Sequence, residues 1–457
     1  MTSATETHPP IDLLKKYDVP CPRYTSYPTV PYWDTQPTTQ QWFDALGDTF
    51  RQGEVPYGIY IHIPYCETFC TYCGCNKSIT KDHSKEGPYV ELVVKEWEHY
   101  KKAVPRLIDA PLRQIHLGGG TPTFLSADNL EAMLSPILND ARIVLKDFEG
   151  SIEVDPRRTS YEQLERLRKL GFQRVSMGVQ DFDPVVQQMV RRIQPYAMTE
   201  NLTIAARELG YESVNFDLIY GLPRQTLDSI EETTRLTLQL MPDRIALYSL
   251  AVVPWIHPVQ RSFKEEDLPT GPEKRALYEL ARERLLGAGY IEIGMDHFAL
   301  PSDSLSTSLQ DKTLHRNFMG YTDQRTDVLI GLGVSAISEC PSCFHQNEKV
   351  LSDYEGKLTQ GEFPTHRGHL LSEEDRHYRR QILEFMTQFS VKLHSVEQAE
   401  DVRGFLSSMI ADGLVEVSGQ SLRMTEKGRP FLRNACMALD RRLRDGHPEG
   451  QVFSGAI

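Results

Sequence analysis

Ile61-His62-Ile63-Pro64-Tyr65-Cys66-Glu67-Thr68-Phe69-Cys70-Thr71-Tyr72-Cys73-Gly74-Cys75-Asn76 is the stretch on which the reading of this chain turns. An apolar run over residues 57–63 (YGIYIHI) leads into it and has the composition of a buried strand. The cysteines begin in the loop directly after that strand. Outward from it, short apolar runs alternate with longer amphipathic ones. Candidate strands fall at 57–63, 114–117, 151–154, 174–179, 214–219 and 245–250. Between them, segments such as 88–104, 127–138, 160–170, 184–191 and 229–240 place apolar residues at helical spacing. Strand then helix, repeated about six times, predicts an α/β fold with a parallel sheet and crossover helices. Six units are fewer than the eight of a closed barrel, so a partial, TIM-like (β/α)6 barrel is expected.

The chain has 457 residues, more than one core of ordinary size accommodates. Three regions are expected. Residues 1–55, rich in Pro, Thr and Tyr, predict an irregular N-terminal segment. Residues 56–365 hold the barrel. Residues 366–457 change to a mostly helical pattern, at 376–388 and 396–412, followed by a hairpin turning at Ser418-Gly419-Gln420 and a last helix over 430–444. Helices and a small hairpin suggest a winged-helix-like unit, and a plain helical cap is the blander alternative.

Lys and Arg total 50 and Asp and Glu 63, a net charge of −13. General nucleic-acid binding runs on phosphate neutralisation, so an acidic chain argues against it. No stretch reaches the ~18 consecutive apolar residues of a membrane span. The start, MTSATETHPP, lacks the basic and apolar regions of a secretory signal. A soluble cytoplasmic protein is expected.

Eight cysteines are present, four of them between positions 66 and 75. In such a chain that clustering indicates metal or redox chemistry. Cys66, Cys70 and Cys73 form CxxxCxxC and offer three thiolates from one loop. A cubane cluster usually takes four cysteines, so three leave one iron open to a substrate. S-adenosylmethionine can chelate that iron, and an electron from the cluster can then break its C–S bond. Zinc sites instead show paired spacings in two separate clusters.

These residues resemble the radical SAM superfamily. Through PRYTSYPT (22–29), HIPYCETFCTYCGCN, GGGTPT, SIEVDP, SMGVQDF, NFDLIYGLP, GMDHFA, HRNFMGYT and GVSAIS, the chain is similar to the oxygen-independent coproporphyrinogen III dehydrogenases of haem biosynthesis. The resemblance implies a [4Fe–4S] cluster, two molecules of S-adenosylmethionine, a monomer, and an electron donor and an electron acceptor that it does not identify. It implies decarboxylation of two propionates of coproporphyrinogen III to vinyl groups. It also implies Tyr60, Gly119 and Glu153 at the cluster-bound S-adenosylmethionine. Tyr72, Gly120, Thr121, Gln180, Arg192, Asp217, Ala251 and Ile337 are implied at a second. A haem-binding or haem-transfer protein of the same fold is the alternative, and a radical methyltransferase or haem-degrading relative a third.

Arg23, Lys77 and Arg316 lie in or beside these motifs and are candidates for binding substrate carboxylates. Cys75 is expected beside the cluster without ligating it. Cys340 and Cys343 (CPSC) are expected as incidental thiols of a surface loop, and Cys21 and Cys436 as ordinary buried or terminal residues.

Overall fold

The computed structural model of the chain describes residues 10–255, 258–446 and 453–455. The first nine residues, part of the stretch read as lacking a secretory signal, lie outside the described residues, as do 447–452 and the last two.

The six apolar runs are the strands β1 (Tyr57–Ile63), β2 (Pro111–Gly119), β3 (Glu149–Val154), β4 (Phe172–Gln180), β5 (Ser213–Tyr220) and β6 (Arg244–Ser249). They pair in parallel in chain order. Ile59, Ile61 and Ile63 are fully buried and so are Ile115, Leu117, Val175 and Met177, because helices cover the outer face of the sheet. Those helices are α3 (Glu86–Ala103), α4 (Ala127–Asp140), α5 (Tyr161–Lys169), α6 (Pro184–Met189), α7 (Tyr196–Glu208), α8 (Leu227–Leu240) and α9 (Gly271–Gly287). The result is a partial barrel.

Further strands flank the six: β7 (Ile291–Glu292), β8 (His297–Ala299), β9 (Val328–Leu332), β10 (Ile337–Cys340), β11 (Cys343–Asn347) and β12 (Thr365–Leu370). β8 is antiparallel to β6, and β9 adds in parallel to β1 before an antiparallel run from β10 to β12. The sequence patterns did not indicate β9, because a five-residue apolar run broken by Gly331 has no periodicity of its own.

Residues 10–55 are not wholly irregular, as the sequence suggested. They contain α1 (Ile11–Tyr17) and α2 (Thr39–Arg51). Helix α2 starts at a capping box, where Thr38 and Gln41 satisfy each other's backbone N–H groups. Its Trp42, Leu46 and Phe50, spaced by four, enter the barrel's core. Leu14, Tyr17, Cys21, Tyr24 and Tyr27 instead join Phe385, Met386, Phe431 and Cys436 in a second core. A strap of early chain thus belongs to the C-terminal unit.

That unit holds α12 (Glu373–Gln388), α13 (Val396–Phe405) and α14 (Ser407–Ala411), with α10 (Ser304–Gln310) and α11 (Leu351–Thr359) preceding them along the chain. A small antiparallel sheet follows, with the expected turn after Ser418. The single helix expected over 396–412 breaks at Leu406. That expected over 430–444 is two short helices, α15 (Leu432–Cys436) and α16 (Arg441–Asp445), joined by 3-10 turns. Among the described residues no helix is long and apolar enough to cross a membrane.

Asp375 closes this unit. It accepts from Ser372 at the start of α12, from His369 at 3.1 Å and from Arg442 at 2.9 Å. Against the cost of burial, these partners hold its carboxyl down to about 2. A depressed folded pKa stabilises above the unfolded value of about 3.9 and is lost as pH falls through the folded value. Asp375→Asn is therefore expected to flatten the loss of stability between about pH 4 and 2, read as the acid-unfolding midpoint. An unchanged midpoint would count against the network.

Candidate active site

The cysteine loop leaves β1 at the end of the sheet where parallel α/β proteins gather their chemistry. Backbone bonds fasten it on three sides. Gly120 N–H donates to Ile63 O and Thr121 N–H to Tyr65 O, both at 2.8 Å. Thr71 N–H reaches Val190 O at 3.1 Å, and Ser78 N–H reaches Pro64 O at 2.7 Å. The glycines of GGGT serve this packing. A β-carbon on Gly120 would stand 2.7 Å from Pro64 O. One on Gly119, where φ is +113°, would stand 2.8 Å from the His62 ring.

Cys70 is buried, Cys66 and Cys73 are half-buried and Cys75 is exposed. Cys66 Sγ accepts from Thr121 Oγ1 at 3.4 Å. Cys70 Sγ accepts from both Arg157 and Arg192 at 3.8 Å. Asp155 stands between those guanidinium groups, 2.6 Å from Arg157 and 3.2 Å from Arg192. A hydrogen bond from Cys75 pulls the Cys73 thiol below its ordinary range against burial, with Lys77 helping. Lys77 beside Cys73 favours its thiolate, the form that binds metal, whereas burial pushes the Cys66 thiol up to about 11. Among the described residues no three His, Cys, Asp or Glu converge on one point as ligands of a single ion. A cubane attaches each thiolate to a different iron, so a loop presenting three separated thiols beside cations fits it better than it fits zinc.

Inside the barrel, polar side chains alternate with apolar ones along β1 to β6. Tyr60 stacks on His116 and lies 3.0 Å from His62 Nδ1 through its hydroxyl. His116 lies 3.5 Å from Glu153, whose carboxylate accepts from Gly119 N–H at 3.4 Å. The structure thus brings Tyr60, Gly119 and Glu153 together. The Glu153 side chain is 47% exposed, and it faces the lumen cavity.

A second group gathers at the ends of β4 to β6. Arg192 donates to Gly178 O at 2.6 Å, and its Nε is buried with no partner. Gln180, at φ +69°, ends β4, its side chain turned back toward Gly178 beside Arg192. Asp217 accepts from Ser176 at 3.2 Å. Burial, with the Glu153 carboxylate adding to it, pushes the Asp217 carboxyl up to about 7. Tyr72 packs on Val186, Val190 and Leu250, and Gln260 ties Tyr72 O to Ala251 O. Ile337 stands elsewhere in strand order. It packs on Gly331, the register partner of Tyr60, across β1 from the β4–β6 group.

Of the candidate cations, Lys77 turns back into the loop, donating to Cys73 O at 2.9 Å and lying over the Phe69 ring. Arg316 stacks on Tyr321 and donates to the Arg23 carbonyl. Arg23 itself is exposed on the barrel rim, donating to Ser249 O at 3.4 Å. Cys340 and Cys343 correct the surface-loop expectation. They are register partners in the β10–β11 hairpin, fully buried in the main core, because the hairpin's tip is covered by α2 and Leu371. Cys21 and Cys436 are buried in the second core.

Several cavity residues were not singled out from sequence. His297 is bound to Asp296 at 2.6 Å and stands edge-on to Tyr248 and Tyr321. Polar residues at alternate positions of apolar strands, such as His62 after Tyr60 and Ser151 before Glu153, were the available signal.

Comparison with known proteins places this geometry. The radical SAM superfamily model matches residues 60–237. The chain is 39% identical to the oxygen-independent coproporphyrinogen III oxidase of Pseudomonas aeruginosa, over 94% of this chain and 95% of that protein. It is 38% identical to the Escherichia coli protein of the same name, over 97% and 98%. The solved structure of Escherichia coli coproporphyrinogen III oxidase, described as a radical SAM enzyme, superposes with a TM-score of 0.89 at 35% identity, covering 95% of this chain and 99% of that one.

Proposed function

This chain belongs to the oxygen-independent coproporphyrinogen III oxidase family of radical SAM proteins, and from that membership we propose how its own residues serve the reaction. It is an oxidoreductase of haem biosynthesis that uses a [4Fe–4S] cluster and S-adenosylmethionine to convert coproporphyrinogen III to protoporphyrinogen IX without oxygen. When bound, the cluster and S-adenosylmethionine supply a carbon-centred radical able to take hydrogen from an unactivated carbon. Each reacting propionate gives up one hydrogen atom, then carbon dioxide, then one electron to an acceptor, leaving a vinyl group.

Cys66, Cys70 and Cys73 hold the cluster, and Arg157 and Arg192 offset the negative charge at Cys70. Tyr60, Gly119 and Glu153 hold the S-adenosylmethionine nearest the cluster. The Glu153 carboxylate, already accepting from Gly119 N–H, has lone pairs left for ligand hydroxyls. Tyr72, Gly120, Thr121, Gln180, Arg192, Asp217, Ala251 and Ile337 form the site of a second molecule. The unpaired Nε of Arg192 gives that site a donor suited to a carboxylate. The protein works as a cytoplasmic monomer, and its charge of −13 speaks against nucleic acid as a partner.

The observation that carries this reading is the three-thiol loop, flanked by guanidinium groups, opening onto a polar lumen at the strands' C-terminal ends. An anaerobic assay tests it. Cluster-loaded protein receives S-adenosylmethionine, a strong reductant, an electron acceptor and coproporphyrinogen III, and products are read by mass. Loss of two carbon dioxide units is expected. Formation of 5′-deoxyadenosine with the tetrapyrrole unchanged would remove the substrate assignment. Stable haem binding with neither product would favour a haem carrier.

A further inference from the structure

The rim of the barrel beyond β6 carries two cations whose presence the cluster and the S-adenosylmethionine sites leave unexplained. The carbonyls of Ser249 and Leu250, consecutive in the chain and directly before Ala251, each hold one. Arg23 donates to Ser249 O at 3.4 Å, and Lys274 donates to Leu250 O at 3.0 Å. They come from distant parts of the chain, one on the N-terminal strap and one on α9. Lys274 lies along Gly221, with its ammonium 5.9 Å from the centre of the Tyr220 ring. Among the described residues, neither cation forms an ion pair with a carboxylate.

For Lys274 such an arrangement is unfavourable as it stands, whereas Arg23 feels the Asp296 carboxylate. Burial pushes the Lys274 ammonium down to about 8; Asp18 opposes this, and Arg23 and Arg433 add to it. Surrounding structure nevertheless fixes the pair in place. Arg433 bonds the carbonyls of Cys21 and Pro22, Arg316 bonds the carbonyl of Arg23, and Tyr24 bonds Asp440 at 3.1 Å. The backbone on both sides of Arg23 is thereby tied down while its side chain stays exposed. Two like charges on consecutive carbonyls of the barrel rim, with donors to spare and no carboxylate bonded to either, suit an anion with two oxygens.

We propose that Arg23 and Lys274 form a carboxylate clamp that grips a propionate of the tetrapyrrole other than the one reacting. The clamp rests on the functional reading above. It fixes the macrocycle at the β6 side of the mouth, so that another edge of the ring faces the cysteine loop at the end of β1. It also gives the C-terminal unit a part in substrate binding, because Arg433 and Asp440 are positioning residues for the strap that delivers Arg23.

Three variants of the full-length, cluster-loaded protein test this: Arg23→Gln, Lys274→Met and the charge-preserving Lys274→Arg. Two measurements are made on each. The first is KM and kcat for coproporphyrinogen III, with reductive cleavage of S-adenosylmethionine in the absence of tetrapyrrole as the control. The second is equilibrium binding of fluorescent coproporphyrin III and of its tetramethyl ester. Arg23→Gln and Lys274→Met should each raise KM and the Kd of the free acid about tenfold, the size of one charge-assisted hydrogen bond, with kcat within about twofold. Lys274→Arg should stay near the parent, S-adenosylmethionine cleavage should not change, and the ester should bind all forms alike. Parent-like KM and Kd in both charge-removing variants overturn the clamp alone. So does an equal loss with acid and ester, which marks general damage to the rim. A parent protein that cleaves S-adenosylmethionine but leaves the tetrapyrrole whole overturns the functional reading, and the clamp with it.

Discussion

Cys70→Ala is expected to leave a folded protein without its cluster and with decarboxylation reduced by more than about a hundredfold. The cause is local. Cys70 is the buried member of the triad, and Arg157 and Arg192 both point at its sulfur. Removing the thiolate takes a ligand from the metal. It also leaves two guanidinium groups with Asp155 as the one anion bonded to both, a charge excess that disfavours any replacement ligand except an anion. Iron content and the visible absorption of the reconstituted protein are the primary readouts, because they report on the cluster independently of turnover. Cys75→Ala is the contrast. Cys75 is exposed and hydrogen-bonded to Cys73, so its loss should preserve the iron content. Full iron in Cys70→Ala, or an iron-free Cys75→Ala, would require a different ligand set.

Asp303→Ala is expected to destabilise the protein by about 3–5 kcal/mol, the cost of stripping a partner from a buried ion pair. The lower barrel lumen is filled by charge where aliphatic layers are usual. Arg244 Nε donates to both carboxylate oxygens of Asp303, at 2.7 and 2.9 Å. Arg174 pairs with Glu149, and both arginines bond Ser304 Oγ. Asp323 lies 3.6 Å from Arg174 and 3.7 Å from Arg244. Without Asp303, two buried guanidinium groups share what is left. The substitution also removes the cap of α10, where Asp303 accepts from Leu305 N–H at 2.8 Å. The midpoint of thermal unfolding should fall by roughly 10 °C. Asp303→Asn should cost less, since it keeps an acceptor for the cap. A melt within a degree or two of the parent would show that the lumen network contributes little, as buried ion pairs sometimes do.

Much of the fold was legible in sequence because its signals are local. The strands of the barrel are short apolar runs, and their crossover helices carry a 3.6-residue period. The cysteine loop is legible for the same reason: its three thiols lie within eight residues of one loop, so spacing alone places them in one stretch of chain. Gly119 and Gly120 show where locality stops. Glycine was expected at that turn, but its companions, the His62 ring and the carbonyl of Pro64, are known only once β1 and β2 lie side by side.

Sequence by itself therefore determined the parallel barrel, the thiol triad and the acidic surface. All three follow from periodicity, spacing and composition within a few residues. Tertiary structure alone decided which charges meet. It set Arg244 on Asp303, 59 residues away, sent Lys77 back into its own loop, and buried Cys340 and Cys343. It divided residues 10–51 between two cores and set Arg23 and Lys274 on consecutive carbonyls. The physical reason is the same in each case. A charged or polar side chain carries no mark of its partner in the chain around it. Its energy depends on what the packed sheet and strap bring within a few ångströms, and that distance exists only after folding.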